Sequence, residues 1–216
     1  QELTYYGLDI YKKRMLADLM NRLADVKGLE WIRLHYAYPS KFPLEILDVM
    51  RERDNICKYL DMPLQHASQN VLKRMKRGGN RESLERLIER VRRRVPGIAV
   101  RTTFIAGFPG ETDADFEELM TFVKNVEFDR VGVFTYSDEE GTAAFDLSEK
   151  VDPKIARQRR TRLMKEQAKI SRRKNKARVG ETVRVLFEGE SKESELLWQG
   201  RMETQAPDID GCVLIN

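Results

Sequence analysis

Residues 59–68 of this chain are Tyr59-Leu60-Asp61-Met62-Pro63-Leu64-Gln65-His66-Ala67-Ser68. This stretch joins an apolar, strand-like run to the start of a helix, and a proline and several polar side chains lie at the junction. A second stretch of the same design follows about forty residues later: Val100-Arg101-Thr102-Thr103-Phe104-Ile105-Ala106-Gly107-Phe108-Pro109-Gly110-Glu111-Thr112. Because α/β folds carry their chemistry at the carboxyl ends of parallel strands, we expect the two junctions to share one pocket.

The first 150 residues alternate between helix-like and strand-like segments. Apolar patterning predicts strands over 32–38, 58–64, 98–106 and 130–136, separated by one or two amphipathic helices each. Such a series builds parallel βαβ units with right-handed crossovers, in a doubly wound sheet or in a barrel. No Gly-x-Gly-x-x-Gly follows a strand, which disfavours a dinucleotide-binding unit. The prediction for 1–150 is therefore an α/β fold, a partial (β/α) barrel of TIM type.

The character of the sequence changes after residue 150. Residues 151–178 predict one long, basic connecting helix that lies over the edge of the barrel. Strand patterns then follow at 182–187, at 196–202 and within 207–216. Residues 179–216 are thus predicted to form a small antiparallel β module.

The net charge of +4 conceals two basic blocks. Residues 154–178 hold twelve Lys/Arg and one acid, and residues 73–94 hold ten Lys/Arg and three acids. Such blocks indicate either a polyanionic partner such as RNA or simply solvated helix faces. No segment has the length and apolarity of a membrane span, and no signal-peptide pattern opens the chain, which favours a cytoplasmic protein.

Polar residues at the first junction suggest a ligand site. Gln65 and Ser68 offer an amide and a hydroxyl that can hold the amino and carboxylate groups of a small zwitterion beside a helix N-terminus. The alternative for Ser68 is that it caps the helix. His66, a single histidine, is predicted to be a hydrogen-bonding loop residue rather than a metal ligand. Asp61 either faces the barrel interior or pairs with an arginine.

The second junction and the last strand offer further candidates. Arg101, if it points inward, needs a partner, and that partner is either a ligand carboxylate or a protein acid. The turn from Gly107 exposes backbone to which a flat ring could approach closely, and Tyr136 either walls the pocket or packs in the core. Cys57 and Cys212 are too few and too far apart for a disulfide framework or a metal site, so both are expected to be inert core residues.

Five segments of the chain, in this order, resemble a known family. They are Tyr5-Tyr6-Gly7-Leu8-Asp9-x-Tyr11, Leu34-His35-Tyr36-Ala37-Tyr38-Pro39, Asp61 to Ser68 followed by 72–78, Arg101 to Thr112, and Phe134-x-Tyr136-Ser137-x-Glu139-Glu140-Gly141-Thr142. Together they resemble the radical S-adenosylmethionine methylthiotransferases, along the whole length from 1 to 216. The motif Pro-Leu-Gln-His resembles that of the branch that modifies an aspartate of small-subunit ribosomal protein twelve. The tRNA-modifying branch typically has Pro-x-Gln-Ser-Gly-Ser at this position.

The resemblance implies an architecture and a set of cofactors. The family joins a radical S-adenosylmethionine barrel to a TRAM β domain, and it uses S-adenosylmethionine with two [4Fe-4S] clusters. In the family, the cysteines of both clusters precede the position of residue 1, so this chain by itself is expected to ligate neither cluster, to hold no metal and to be inactive. The implied residues around S-adenosylmethionine are Gln1, Gln65, Ser68 and Arg101 at the methionine part, and Ile105, Gly107 and Tyr136 at the adenosine.

An acidic segment in the C-terminal module predicts the partner. Residues 188–195 carry four acids and one Lys, the acids being Glu188, Glu190, Glu193 and Glu195. These four are predicted to contact a very basic ribosomal protein, while the basic helix acts as a scaffold with at most weak RNA contact. The alternatives are methylthiolation of tRNA adenosine, a module that only binds RNA, and an unrelated barrel lyase. A lyase requires a catalytic Lys or an acid–base pair at the strand ends, and no Lys ends strand 98–106 or 130–136.

Overall fold

The computed structural model describes residues 2–216, so the predicted ligand residue Gln1 lies outside the described residues. A 3-10 turn, Leu3–Tyr5, precedes the first helix. The helices are α1 Leu8–Tyr11, α2 Leu16–Ala24, α3 Glu45–Glu52, α4 Gln69–Arg74, α5 Arg81–Arg94, α6 Asp113–Val126 and α7 Pro153–Ala177. The strands are β1 Ile32–Leu34, β2 Ile56–Asp61, β3 Ala99–Ala106, β4 Arg130–Thr135, β5 Leu186–Glu190, β6 Trp198–Arg201 and β7 Val213–Ile215.

The first four strands form one parallel sheet in the order β1-β2-β3-β4. Asp61 of β2 lies opposite Arg101 of β3, which in turn lies opposite Arg130 of β4. One face of the sheet packs against the helices through a core that includes Leu60, Val100 and other buried apolar residues. The predicted succession of parallel βαβ units is confirmed, and the second, inner face of the sheet carries Cys57, Tyr59 and Ala99.

Two strands differ in extent from the predictions. β1 ends at Leu34 rather than at 38, because Tyr36 adopts a left-handed backbone conformation (φ +59°) that an extended strand does not allow. β2 starts two residues earlier than predicted and its regular part ends at Asp61, since Pro63 has no N–H to give to a neighbouring strand. Pairing resumes at Gln65, which forms an isolated parallel bridge to Phe104.

Helix α7 lies along β4 at the edge of the sheet. It buries Ala156, Leu163 and Ile170, whereas Ile155 and Met164 are exposed. Two polar side chains attach it to the sheet: Arg160 Nε donates to Val133 O (2.9 Å) and Gln167 Nε2 donates to Phe128 O (2.9 Å). The long helix therefore covers an edge strand that would otherwise be open.

The last three strands form an antiparallel sheet in the order β5-β6-β7, as predicted for the C-terminal module. β5 begins at Leu186 rather than at 182, because the chain from Thr182 to Arg184 first runs along a cleft beside Trp31. The register of β5 shifts between Phe187 and Gly189, and Gly189 has a φ of +110°. This β-bulge lets the strand continue to Glu190.

The two cysteines differ in environment. Cys57 is fully buried on β2, as predicted, and burial raises the pKa of its thiol. Cys212 is exposed, so its prediction as a core residue is wrong. It lies in the irregular segment directly before β7. Of the helices within 2–216, none combines the length and the apolarity needed to cross a membrane.

We expect Gly107→Ala to destabilise the chain by about 3 kcal/mol, because a Cβ there would overlap the Cβ of Ala156 on α7 and the residue has φ +81°. Gly97→Ala is the matched control, since Gly97 has nearly the same φ (+79°) but open space around it. Its cost should be about 1 kcal/mol, that of the left-handed backbone alone. Urea unfolding of both variants measures the difference, and equal losses would show that the contact with α7 is not tight.

Candidate functional site

The first junction holds Gln65 in an unusual conformation. Its φ is +70°, in the left-handed region that costs a non-glycine residue roughly 1 kcal/mol or more. Two backbone hydrogen bonds to β3 maintain it, from Gln65 N to Thr103 O (2.8 Å) and from Ile105 N to Gln65 O (2.9 Å). The side-chain Oε1 is buried and has no hydrogen-bond partner among residues 2–216. An orphaned acceptor on a strained residue at the strand ends fits the ammonium group of a ligand.

The hydroxyl of Ser68 is hydrogen-bonded to another side chain of the same chain. Ser68 occupies the N-cap position of α4, as the alternative interpretation expected, but its hydroxyl donates to Asp115 Oδ1 and makes no capping bond. Thr112 Oγ1 (2.7 Å) and Asn70 Nδ2 (2.9 Å) donate to the other oxygen of Asp115. Burial opposes ionisation of Asp115, but the hydrogen bonds from Ser68, Thr112 and Asn70 outweigh it and hold its pKa at about 2. Ser68 is itself 1% exposed, so its predicted contact with a ligand stays a prediction.

His66 is fully buried below Gln65. Its Nδ1 accepts a hydrogen bond from the Ser68 backbone N–H (3.0 Å), as expected for a hydrogen-bonding loop residue. Its Nε2 faces Glu111 Oε2 at 4.0 Å. Burial lowers the pKa of His66 to about 4, against the attraction of Asp115. The imidazole is therefore neutral at pH 7, and it supports the turn rather than reacting.

A buried carboxylate closes the second junction. Glu111 Oε2 accepts from the backbone N–H of Gly107 (2.6 Å) and of Phe108 (3.2 Å), and Arg159 of α7 donates to Glu111 Oε1 (3.0 Å). Burial raises the pKa of Glu111, while Arg159 and the two amides oppose the rise. Sequence reasoning missed this pair, although a glutamate four residues after a glycine that ends a buried strand was an available signal. Gly107 thus donates its N–H to Glu111 and packs its Cα against Ala156.

Arg101 points to the inner face of the sheet and is held by protein groups. Its Nη1 donates to Asp61 Oδ1 (2.8 Å), and Asp61 is 1% exposed. His35 Nδ1 lies 3.9 Å from the other oxygen of Asp61. Of the two partners that the sequence allowed for Arg101, the structure therefore supplies a protein acid. Its predicted contact with a cofactor stays a prediction, and the position among carboxylates favours a supporting role.

An apolar wall lies beside Gln65 at the ends of β3 and β4. Ile105 is half-buried and lies opposite Phe134, which is 61% exposed. Tyr136 packs edge-on against Phe108 with ring centroids 5.2 Å apart, and its hydroxyl donates to Asp138 (2.8 Å). The exposed Phe134 ring is the kind of side chain against which an aromatic ring packs, whereas Lys150 Nζ lies over the Tyr136 ring, 5.4 Å from its centroid. The predicted adenosine residues Ile105 and Tyr136 lie at this wall, and their contact with a ligand stays a prediction.

Within 2–216, no three His, Cys, Asp or Glu side chains are grouped so that they could hold a metal ion. Cys57 lies on the inner face of β2, whereas Cys212 is exposed on the C-terminal module. An iron–sulfur cluster requires a set of thiolates, so the described residues do not fit one.

The four glutamates of the acidic segment 188–195 differ in their ion pairing. Glu190, Glu193 and Glu195 are exposed, and none of the three has an ion-pair partner in the part of the chain that the structure describes. Glu188, in contrast, forms an ion pair with Arg201 on the adjacent strand. Three of the four carboxylates are therefore unpaired among the described residues, and the contact of all four with a basic partner stays a prediction.

Comparison with known proteins adds independent findings. The family model described as the Radical SAM superfamily matches residues 2–123, and the TRAM domain model matches residues 179–216. A protein of Solibacter usitatus named ribosomal protein uS12 methylthiotransferase RimO is 53% identical over an alignment that covers 100% of this chain and 47% of that protein. A protein of the same name from Cytophaga hutchinsonii is 50% identical, with 100% and 49% covered. The chain thus spans about half the length of the curated relatives it matches.

Among solved structures, coproporphyrinogen III oxidase (HemN) from Escherichia coli, described as a radical SAM enzyme, superposes with a TM-score of 0.57. The superposition covers 72% of this chain and 36% of that one, at 20% sequence identity. At this level of identity the likeness extends to the fold, and it agrees with a partial (β/α) barrel.

Asp115 should make stability depend on pH in the acid range. Its folded pKa of about 2 lies below the ordinary 3.8, so its contribution is complete above pH 4 and is lost as the pH falls through 2. The expected loss is about 2 kcal/mol, and Asp115→Asn should lack it. Ser68→Ala, which removes one donor, should move the loss to higher pH. Urea unfolding at pH 2 to 7 measures these curves, and identical acid slopes for the wild type and Asp115→Asn would contradict the assignment.

Proposed function

Since this chain belongs to the Radical SAM superfamily, we propose that it is part of a radical S-adenosylmethionine methylthiotransferase that modifies a ribosomal protein. The match of residues 2–123 supports the superfamily. The identity of 53% and 50% to proteins named uS12 methylthiotransferases, spread over the whole chain, supports the reaction and the substrate. The observation that carries the proposal from the site itself is the orphaned acceptor of Gln65 at the strand ends.

We propose that S-adenosylmethionine binds where β2, β3 and β4 end. Gln65 Oε1 would accept a hydrogen bond from the ammonium of its methionine part, and Ile105, Phe134 and Tyr136 would cover its adenine ring. When bound beside a reduced iron–sulfur cluster, this cofactor supplies hydrogen-abstraction chemistry, and the thiolates for that cluster are not among residues 2–216. For Ser68 and Arg101 we propose indirect roles, because Asp115 and Asp61 already engage them.

The residues of this chain would bind, orient and shield the cofactor. Gln65 is preorganised, since two backbone bonds to β3 fix its conformation before any ligand arrives. Glu111, held by Arg159, fixes the turn that leads from β3 to α6. The apolar wall at the ends of β3 and β4 would exclude water from one side of the ligand. Such fixed geometry is what a reactive cofactor requires of its protein.

We propose that the free carboxylates of 188–195 contact the ribosomal protein. Ribosomal proteins are strongly basic, so exposed Glu190, Glu193 and Glu195 provide charge complementarity that speeds encounter. On α7, several cations are engaged by acids of the barrel, among them Arg162 with Glu117 and Arg173 with Glu127. This supports a mainly scaffolding role for the basic helix.

The reaction itself is tested by mass spectrometry of ribosomal protein uS12 from cells that lack the full-length gene. A methylthio group on the target aspartate should disappear on deletion and return with the wild-type gene. If the aspartate is unchanged while a tRNA adenosine loses its methylthio group, the substrate is tRNA and the proposal is wrong.

Gln65→Leu should weaken binding of S-adenosylmethionine about 10-fold or more in a form of the protein as long as its relatives, because a hydrogen bond to a charged group contributes roughly 1.5–3 kcal/mol. Gln69→Leu is the control, since Gln69 is exposed on α4. Arg101→Ala should also weaken binding, and the loss should come with a lower melting temperature because Asp61 is left buried and unpaired. Calorimetric affinity of Gln65→Leu equal to that of the wild type would remove Gln65 from the site.

Reversal of Glu190, Glu193 and Glu195 to Lys should slow association with the ribosomal protein by about 10-fold at low salt, and less at high salt. The matched control reverses three exposed glutamates on the helices, Glu45, Glu82 and Glu89, with the same change in net charge. Stopped-flow association rates are the measurement. Equal slowing in both variants would assign the effect to net charge alone, and tight, steeply salt-dependent binding of tRNA by the wild type would move the partner to RNA.

A further inference from the structure

A loop of the C-terminal module enters the inner face of the parallel sheet. The loop consists of residues 203–210, and we call it the floor loop. Arg33 of β1 donates from Nη2 to Glu203 O (2.8 Å), and Lys58 N on β2 donates to Glu203 Oε2 (3.4 Å). The floor loop therefore contacts the amino-terminal half of the barrel strands, at the opposite end from the strand ends that carry Gln65.

The contact is apolar at its centre. Ala206 of the floor loop is fully buried, and it packs in one cluster with Cys57, Tyr59 and Ala99 of the sheet. Trp31 packs against the same cluster. None of these residues belongs to the larger core between sheet and helices. The floor loop thus gives the inner face of the sheet its own small core.

Asp210 brings a buried charge to this contact. Its side chain is 2% exposed, and its Oδ2 accepts from the Tyr59 hydroxyl (2.8 Å) and from Ala206 N (2.8 Å). The other oxygen, Oδ1, faces Arg101 Nε at 3.8 Å and Arg130 Nε at 3.9 Å. A buried carboxylate is tolerated where cations and hydrogen bonds compensate it, and both arginines come from the barrel.

Arg101 connects this charge to the interior of the barrel. One end of its guanidinium donates to Asp61, and its Nε faces Asp210, so a carboxylate from each module flanks it. Asp61 in turn lies 3.9 Å from His35, which is partly exposed on the inner face. Four ionisable side chains thus lie one beside the next on the inner face of the sheet, in the order Asp210, Arg101, Asp61 and His35.

We propose that Asp210 is a positioning residue for the barrel interior: it holds Arg101, and through Arg101 it sets the Asp61–His35 pair beneath the ligand site. The C-terminal module is then part of the barrel's frame as well as a surface for partners. The effect of Asp210 on the Asp61–His35 pair can be measured without any reaction. An effect of Asp210 on catalysis, in contrast, rests on the proposed function.

NMR titration of His35 provides the test on the full 216-residue chain, which has two histidines. His66, with a pKa of about 4, is the internal reference. Burial lowers the pKa of His35, Asp61 and Asp210 raise it, and Arg33 and Arg101 lower it. Asp210→Asn removes a weak direct attraction and releases Arg101 toward Asp61, and both changes should lower the His35 pKa. Asp208→Asn, at an exposed position of the same loop, should leave it unchanged.

A double-mutant cycle separates positioning from simple proximity of charge. In the Arg101→Gln background only the weak direct attraction of Asp210 for His35 remains, so Asp210→Asn should shift the His35 pKa by less than half as much. If Asp210→Asn fails to fold, Asp210→Ser, which keeps an acceptor for Tyr59, replaces it. An unchanged His35 pKa in the folded variant, or an undiminished shift in the Arg101→Gln background, would overturn the proposal. Neither measurement requires S-adenosylmethionine. A negative result here would therefore contradict the role of Asp210 without contradicting the proposed function, and the reverse also holds.

Discussion

A parallel sheet is stable when both of its faces are covered, and this constraint explains most of the chain's architecture. The outer face of the four-stranded sheet packs against the helices in one continuous core. Within residues 2–216 the inner face has no helical layer, and its amino-terminal half is covered by the floor loop around Ala206. Its carboxyl-terminal half remains accessible at Ile105 and Phe134. The part of the sheet that stays uncovered is therefore the part where a ligand would lie.

Buried ion pairs at both ends of the sheet join separate parts of the chain. At the carboxyl end, Glu111 and Arg159 tie the turn after β3 to α7. At the amino end, Asp210 reaches Arg101 and Arg130 from the C-terminal module. Such pairs add little net stability, because desolvation offsets much of their attraction, but breaking one partner is costly. Their contribution is to fix how the elements lie relative to one another.

Many of the polar residues at the strand ends bind other protein groups rather than remaining free. Ser68 engages Asp115, and Gly107 donates to Glu111. Gln65 is different: its backbone is fixed in a costly conformation, while its side-chain oxygen has no hydrogen-bond partner among residues 2–216. The surrounding backbone bonds thus stabilise a strained residue and hold its buried acceptor at the strand ends.

Local sequence patterns predict the secondary-structure elements and their order. Periodicity indicated the four parallel strands, the helices between them and the antiparallel module, because side-chain patterning reports which face of an element is buried. It also directed attention to Gln65, since polar residues after a strand are visible in one dimension. Element ends were less predictable where a single residue such as Tyr36 left the extended region.

The pairing of charged and polar groups depends on the folded arrangement of the chain. Arg101 and Asp61 are 40 positions apart, and Tyr59 and Asp210 are 151 apart, so no local pattern links them. The structure also shows that Cys212 is exposed and that Glu188 is paired with Arg201. Neither could be predicted locally, because exposure and ion pairing depend on residues distant in the sequence. The sequence specifies which chemical groups are available, and folding determines which of them are neutralised by one another and which remain for a partner.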